Sequence, residues 1–175
     1  FCEDRNYSYS FVEEKELDQC VQPEEFISSL KLTAGGNSIK IHDHQKSAYL
    51  HALLNKRTLL ISPTGSGKSL IIYCLVRYLL ECTKGKILII VPTTNLVNQM
   101  RSDFEDYSST EDFNILDETH TIYSGREKET DKRVIISTWQ SLYTLPESFF
   151  EQFESVFGDE CHLFKAKSLT GLMSK

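Results

Sequence analysis

The sequence predicts a three-layer α/β fold, with a mainly parallel central sheet between helices and a small α+β element ahead of it. Three observations carry that prediction. From Ile39 onward, short continuous apolar runs alternate with longer stretches of helical periodicity. Strands that are apolar on both faces belong in a sheet covered on both sides. A glycine-rich loop joins the first such run to the first long apolar helix, which is the order of a parallel crossover unit. Finally, a stretch from Thr33 to Ser38 with two adjacent glycines reads as a linker and sets the opening residues apart.

The elements follow in order. Residues 1–37 form the leading unit: Tyr7 to Val12 alternates aromatic and polar residues as a strand does, and Pro23 to Leu32 opens with proline and two acids before Phe26, Ile27 and Leu30 at helical spacing. The main unit spans 38–175. Asp43 is placed to cap a helix running to about Asn55. Strands are expected at 57–62, 86–91, 133–137 and 155–159, with a weaker one at 119–123. Helices are expected at 68–82, 94–106 and 138–152.

Bulk properties narrow the function classes. Hydrophobic residues at 40% and charged residues at 25% describe a globular chain. No apolar run reaches the roughly 20 residues that cross a bilayer, so no membrane partner is expected. Five cysteines with no CxxC pair argue against a disulfide framework or structural zinc, with a reducing cytoplasm as the default setting. The net charge of −6 argues mildly against nucleic-acid binding. A motor that grips phosphates with a few loops and helix ends tolerates that charge. The opening Phe1-Cys2-Glu3 is neither a signal peptide nor an initiation site, so a longer parent chain is expected.

"SPTGSGKS" (62–69) is the loop between the first apolar run and its helix. Gly65 and Gly67 allow the backbone to turn its N–H groups inward, together with those of Thr64 and Ser66, toward phosphate oxygens. Lys68 would reach the outer phosphates as a point charge, and Ser69 would offer its hydroxyl to Mg²⁺. The helix that follows adds its N-terminal partial positive charge. Ser62 stands where such loops usually begin with glycine. That position lies farther from the phosphates than Gly65 and Gly67, so the departure is tolerable. The bland alternative is a Gly/Ser turn, which the flanking strand and helix patterns disfavour.

Phosphoryl transfer needs a carboxylate near the metal and a group that orients water. "SVFGDECHLF" (155–164) offers both at a strand end, with Asp159 for Mg²⁺ and Glu160 to polarise the water. A lone Asp-Glu pair is ordinarily a solvated strand end, but this one lies downstream of a phosphate loop. Cys161 and His162 also invite a thiol-catalyst or zinc reading. Neighbours on extended backbone point to opposite faces, and no partner ligands are visible.

Asp159-Glu160-Cys161-His162 resembles the second motif of the superfamily-two helicases and translocases, whose members carry DEAD, DEAH or DECH variants. "VPTTNLVNQM" (91–100), "ISTWQSL" (136–142) and "IHDHQKSAYLHAL" (41–53) resemble three further motifs of that family, in the same order and spacing. The resemblance covers about residue 39 to the end and is strongest toward phage recombination helicases that unwind and branch-migrate DNA. It implies a P-loop NTPase (RecA-like) lobe using ATP and Mg²⁺, with Lys68 and Glu160 as the catalytic pair. Thr64 to Ser69 would hold the phosphates, Ser69 and Asp159 the metal, and Gln45 the adenine edge. Relatives often place an arginine three positions before that glutamine, where this chain has His42.

The resemblance also assigns Pro92, Thr93, Thr94, Asn95, Thr138 and Gln140 to the backbone of single-stranded or branched DNA. Plain helix capping is the local alternative for Thr93 and Thr94. Trp139 reads more simply as core than as a base-stacking residue, and Lys128, Lys132 and Arg133 as a possible basic edge. Cys161 and His162 would relay nucleotide state. The family's second lobe, with its arginine finger, is expected beyond these 175 residues, so the stretch alone should show almost no stimulated turnover. The functional expectation is an ATP-dependent DNA helicase or translocase of recombination and repair, acting in the cytoplasm (of the host, if phage-encoded). A restriction-type translocase subunit and a non-catalytic nucleotide-binding regulatory module are the alternatives.

Overall fold

The computed structural model describes residues 20–160 apart from 56, 64, 112 and 124–126. The strand expected at 7–12 and the Cys161-His162 pair lie outside the described residues.

Continuous apolar runs make the central sheet. The run "KILIIV" forms the strand Lys86–Val91, with five of its six residues buried. With the short strands Thr33–Ala34 (β1) and Asn37–Ser38 (β2) ahead of it, this central strand is β3. It pairs in parallel with Val134–Thr138 (β5) on one side and Phe153–Gly158 (β6) on the other. Thr119–Ile122 (β4) adds to β5, also in parallel, which gives the order β4-β5-β3-β6. The expected mainly parallel sheet is therefore present, and the weak strand at 119–123 is real.

Alternation along β3 sorts the core into two layers. Ile87, Ile89 and Val91 join one cluster with the helices Pro23–Ser29 (α1), Asp43–Leu54 (α2), Lys68–Cys82 (α3) and Thr94–Tyr107 (α4). Leu88 and Ile90 join the other with Ile122, Ile135, Leu142 and Leu145, and Trp139 packs against it. A short helix, Ile115–Glu118 (α5), leads into β4. The single helix expected at 138–152 is two short ones, Trp139–Tyr143 (α6) and Glu147–Phe150 (α7), separated at Pro146. Proline cannot donate to the preceding turn and disfavours helix at the residue before it.

Three other expectations are corrected. Residues 57–62 form no strand; Leu59 is 74% and Ile61 92% exposed. An apolar run becomes a strand only by pairing, and none of the described strands lies alongside it. The N-cap of α2 is His42 rather than Asp43, with the Gln45 Oε1 accepting from the His42 N–H at 3.0 Å. The linker at 33–38 is a tight hairpin. Gly35 (φ 59°) and Gly36 (φ 74°) supply the two positive-φ positions between the paired Ala34 and Asn37.

The residues ahead of α2 share the lobe's core. Phe26 meets Tyr78 edge-on at 5.4 Å, and Ile27 and Leu32 are buried in the same cluster as α3. The Gly35 N–H donates to Asp106 Oδ2 at 2.6 Å, anchoring the hairpin to the end of α4. A disulfide, Cys20–Cys82, ties the chain before α1 to the last residue of α3 across 62 positions. The cysteine spacing argued against such bonds. Helix packing, which brings the two Cα atoms to 5.4 Å, decided otherwise. No helix among the described residues is long and apolar enough to cross a membrane.

Candidate nucleotide-binding site

The loop between residue 62 and α3 has the backbone its sequence requires. Gly65 and Gly67 adopt φ of 80° and 79°, a region that favours glycine. Gly67 is the N-cap of α3, so the first N–H groups of that helix have no intrahelical acceptor. A side chain at position 67 would collide with the Gln45 amide. Ser62, at the position of the missing first glycine, donates its hydroxyl to Ser66 Oγ across the loop. The Ser66 N–H donates to the Pro63 carbonyl at 3.3 Å. Thr64 is outside the described residues.

The acidic pair stands where strand β6 ends. The Asp159 N–H donates to the Ile90 carbonyl of β3 at 2.9 Å, and Glu160 turns out of the strand with φ of 49°. That turn brings Glu160 Oε1 to 3.3 Å from Lys68 Nζ, which also donates to the Pro63 carbonyl at 3.3 Å. Loop lysine and strand-end carboxylate, 92 positions apart by subtraction of their numbers, thus meet across the site. Burial raises the Asp159 carboxyl above its usual range. The Glu160 charge adds to this, while the Glu160 N–H and Lys68 oppose it. Two neighbouring carboxylates facing the loop lysine, beside a helix N-terminus and two left-handed glycines, fit a divalent ion with a polyphosphate.

Two predicted ligands make contacts within the chain. Ser69 Oγ lies 2.8 Å from the Tyr107 hydroxyl, at the end of α4. Gln45 is 6% exposed; its Nε2 donates to the Ser66 carbonyl at 3.0 Å and its Oε1 accepts from His42. Each end of the amide makes one contact, so Gln45 braces the loop in this structure. Its neighbour His44 also approaches the Ser66 carbonyl, at 3.3 Å. Sequence reading missed His44 and Tyr107. No local signal marks Tyr107, whose partner is 38 positions away.

The strand-end residues separate by exposure. Thr93 is the N-cap of α4, its Oγ1 accepting from the Leu96 N–H at 3.3 Å, and Thr93, Thr94 and Asn95 are exposed. Gln140 is exposed and donates to the Pro92 carbonyl at 3.4 Å, which joins the ends of β3 and β5. Pro92 is buried and Thr138 is 5% exposed, its hydroxyl 3.0 Å from Ser141 Oγ. Those two shape the ledge, while the other four are open on it. Arg133 is no basic edge. Its guanidinium donates to the Leu80 and Thr83 carbonyls at 2.9 and 2.6 Å, closing the end of α3.

A parallel sheet with a glycine–lysine loop and an Asp-Glu strand end facing that lysine defines the first RecA-like lobe of a superfamily-two helicase. The chain belongs to the family described as "Type III restriction enzyme, res subunit", whose model matches residues 38–175. It is 38% identical over 181 residues to the ATP-dependent DNA helicase uvsW of Enterobacteria phage T4, covering 99% of this chain and 35% of that protein. It is 29% identical to the DNA 3'-5' translocase XPB2 of Sulfurisphaera tokodaii, covering 89% of this chain and 33% of that one. The chain therefore spans about a third of the curated relatives it matches. A crystal structure of T4 UvsW superposes with a TM-score of 0.78 at 39% identity, covering 87% of this chain and 31% of that one. A Sulfolobus solfataricus SWI2/SNF2 ATPase core in complex with dsDNA shares the fold, with a TM-score of 0.54 at 13% identity over 89% of this chain and 37% of that one.

Proposed function

We propose that this chain is the nucleotide-binding lobe of an ATP-driven DNA motor that unwinds or branch-migrates DNA in recombination and repair. The observation that carries the reading is the Lys68–Glu160 contact at 3.3 Å, which brings the phosphate loop and the acidic strand end into one site. Lys68 would hold the outer phosphates in place of its present partner, and Asp159 would hold Mg²⁺ largely through water. When bound, Mg²⁺ offsets phosphate charge. Glu160, released from Lys68, would orient the attacking water and draw its proton. Thr93, Thr94, Asn95 and Gln140 would grip backbone phosphates through hydroxyls, amides and the open end of α4, which needs no basic surface.

The family's description favours a second reading, the motor of a restriction assembly. Identity of 38% along nearly the whole chain to a phage helicase supports the first.

The test is ATP turnover of the full-length parent on single-stranded DNA, forked DNA, four-way junctions and RNA. Stimulation by DNA, greatest on branched forms, is expected, and Lys68→Ala should lower it by on the order of 10²–10³. Unchanged turnover in Lys68→Ala would leave the loop as a relic in a regulatory module. Co-purification with a nuclease or methyltransferase would select the restriction motor.

A further inference from the structure

Lys68 and Ser69, the two loop side chains expected at a phosphate–metal centre, are both held by other groups of this chain. Lys68 is taken by Glu160 and the Pro63 carbonyl. Ser69 is taken by a residue with no assigned role, Tyr107, at 2.8 Å. Tyr107 is the last residue of α4 and only partly buried. Its ring leans edge-on against Tyr73, one turn further along α3, at 5.5 Å and 62°. Tyr73 in turn meets Phe104 of α4 at 5.4 Å. The phenol is therefore fixed by ring packing from the helix that carries Ser69, and its oxygen is presented to that serine.

A serine hydroxyl has one proton and two lone pairs. With its side chain turned to α4, Ser69 spends part of that capacity on the phenol. Either hydroxyl can donate in this contact; where the phenol donates, a metal beside Asp159 competes with it for the same Ser69 oxygen.

We propose that Tyr107 is a positioning residue that parks the Ser69 hydroxyl against α4, so that joint binding of metal and nucleotide must draw this hydroxyl off the phenol. The proposal rests on the nucleotide–Mg²⁺ reading of the loop and adds a resting state that competes with the metal. Tyr107 touches neither substrate nor metal in this scheme. It acts on the metal affinity through Ser69.

Tyr107→Phe removes the hydroxyl and keeps the ring against Tyr73. In the full-length parent, a non-hydrolysable fluorescent ATP analogue is titrated at increasing Mg²⁺. The half-saturating Mg²⁺ should be about fivefold lower in Tyr107→Phe than in wild type, as loss of one competing hydrogen bond implies. Affinity for the analogue in EDTA should be the same in both proteins. An unchanged Mg²⁺ requirement would overturn the proposal and leave the contact as packing between α3 and α4.

A second measurement needs no altered fold. A fluorotyrosine placed at position 107 should shift its fluorine resonance when Mg²⁺ and the analogue are added together, and not with the analogue in EDTA. A resonance that ignores both additions would overturn the proposal. Wild-type protein that binds the analogue with no Mg²⁺ dependence would sink the loop reading, and this proposal with it. A Mg²⁺-dependent wild type with an indifferent Tyr107→Phe sinks only the role given to Tyr107.

Discussion

The ledge of strand ends and the approach to the glycine–lysine loop both follow apolar runs, yet those runs have opposite fates. In β3 and β5, Ile89, Val91 and Ile136 are fully buried and each strand is paired. Pro92 to Asn95 and Thr138 to Gln140 therefore leave the sheet at fixed heights. In residues 57–62 the run Arg-Thr-Leu-Leu-Ile-Ser is left without a described partner strand, and Leu59 and Ile61 face outward. The loop after it is held from other directions: the Ser62–Ser66 contact, the Gln45 and His44 contacts with the Ser66 carbonyl, and the Lys68–Glu160 pair. One site is positioned by a sheet and the other by side-chain hydrogen bonds. Composition alone does not tell the two apart.

The contrast breaks first on core truncations. Ile136→Ala, at a fully buried position, should cost about 2–5 kcal/mol in urea denaturation. Ile61→Ala, at 92% exposure, should stay within about 0.5 kcal/mol of wild type. A comparable loss at both would show that 57–62 is packed after all and would remove the distinction.

Next in size is the fastening of α3 to the chain before α1. Cys82→Ser opens the Cys20–Cys82 bond, which closes a 62-residue separation. It should cost about 2–4 kcal/mol of stability. Wild-type protein in reductant should fall to the same level. Denaturation that ignores reductant would mean that noncovalent contacts, such as Phe26 on Tyr78, hold this helix end alone.

The smallest effect sharpens the loop side. Burial raises the Asp159 carboxyl above its unfolded value of 3.8, so the folded chain holds that proton more tightly than the unfolded one. The stabilising contribution is complete below 3.8 and is lost as pH rises through the higher folded value. At neutral pH the ionised group weakens the nucleotide-free fold. Asp159→Asn should accordingly melt higher at neutral pH, by no more than about 1 kcal/mol because the group is part-exposed. The gain should shrink as pH falls toward 3.8. A variant that melts lower at neutral pH would show that Lys68 and the Glu160 N–H outweigh burial.

Much of this was legible from local pattern. The apolar runs at 86–91 and 133–137 and the periodicity at 68–82 needed only their own residues to declare strand or helix, and the structure places each within a residue or two. Gly65 and Gly67 announced a left-handed turn because no other residue takes that backbone freely. The break at Pro146 is equally local, since a proline there divides the helix expected over 138–152. The stretch expected as a linker is a hairpin around Gly35 and Gly36, whose paired residues lie close along the chain. The Gln45 contact with the Ser66 carbonyl was not readable, because it depends on which chain segment arrives beside the amide.

By itself, then, the sequence determined the parallel α/β architecture, the left-handed glycines of the glycine–lysine loop and the acidic pair at a strand end. Hydrophobic periodicity, turn chemistry and motif spacing are carried by residues close along the chain. Tertiary structure alone decided that Lys68 rests on Glu160, that Ser69 rests on Tyr107, that Cys20 bonds Cys82, and that 57–62 lies outside the described sheet. Each of these depends on a partner tens of residues away, or on the lack of a described strand alongside. Burial and pairing belong to the packed ensemble of elements and not to any one of them.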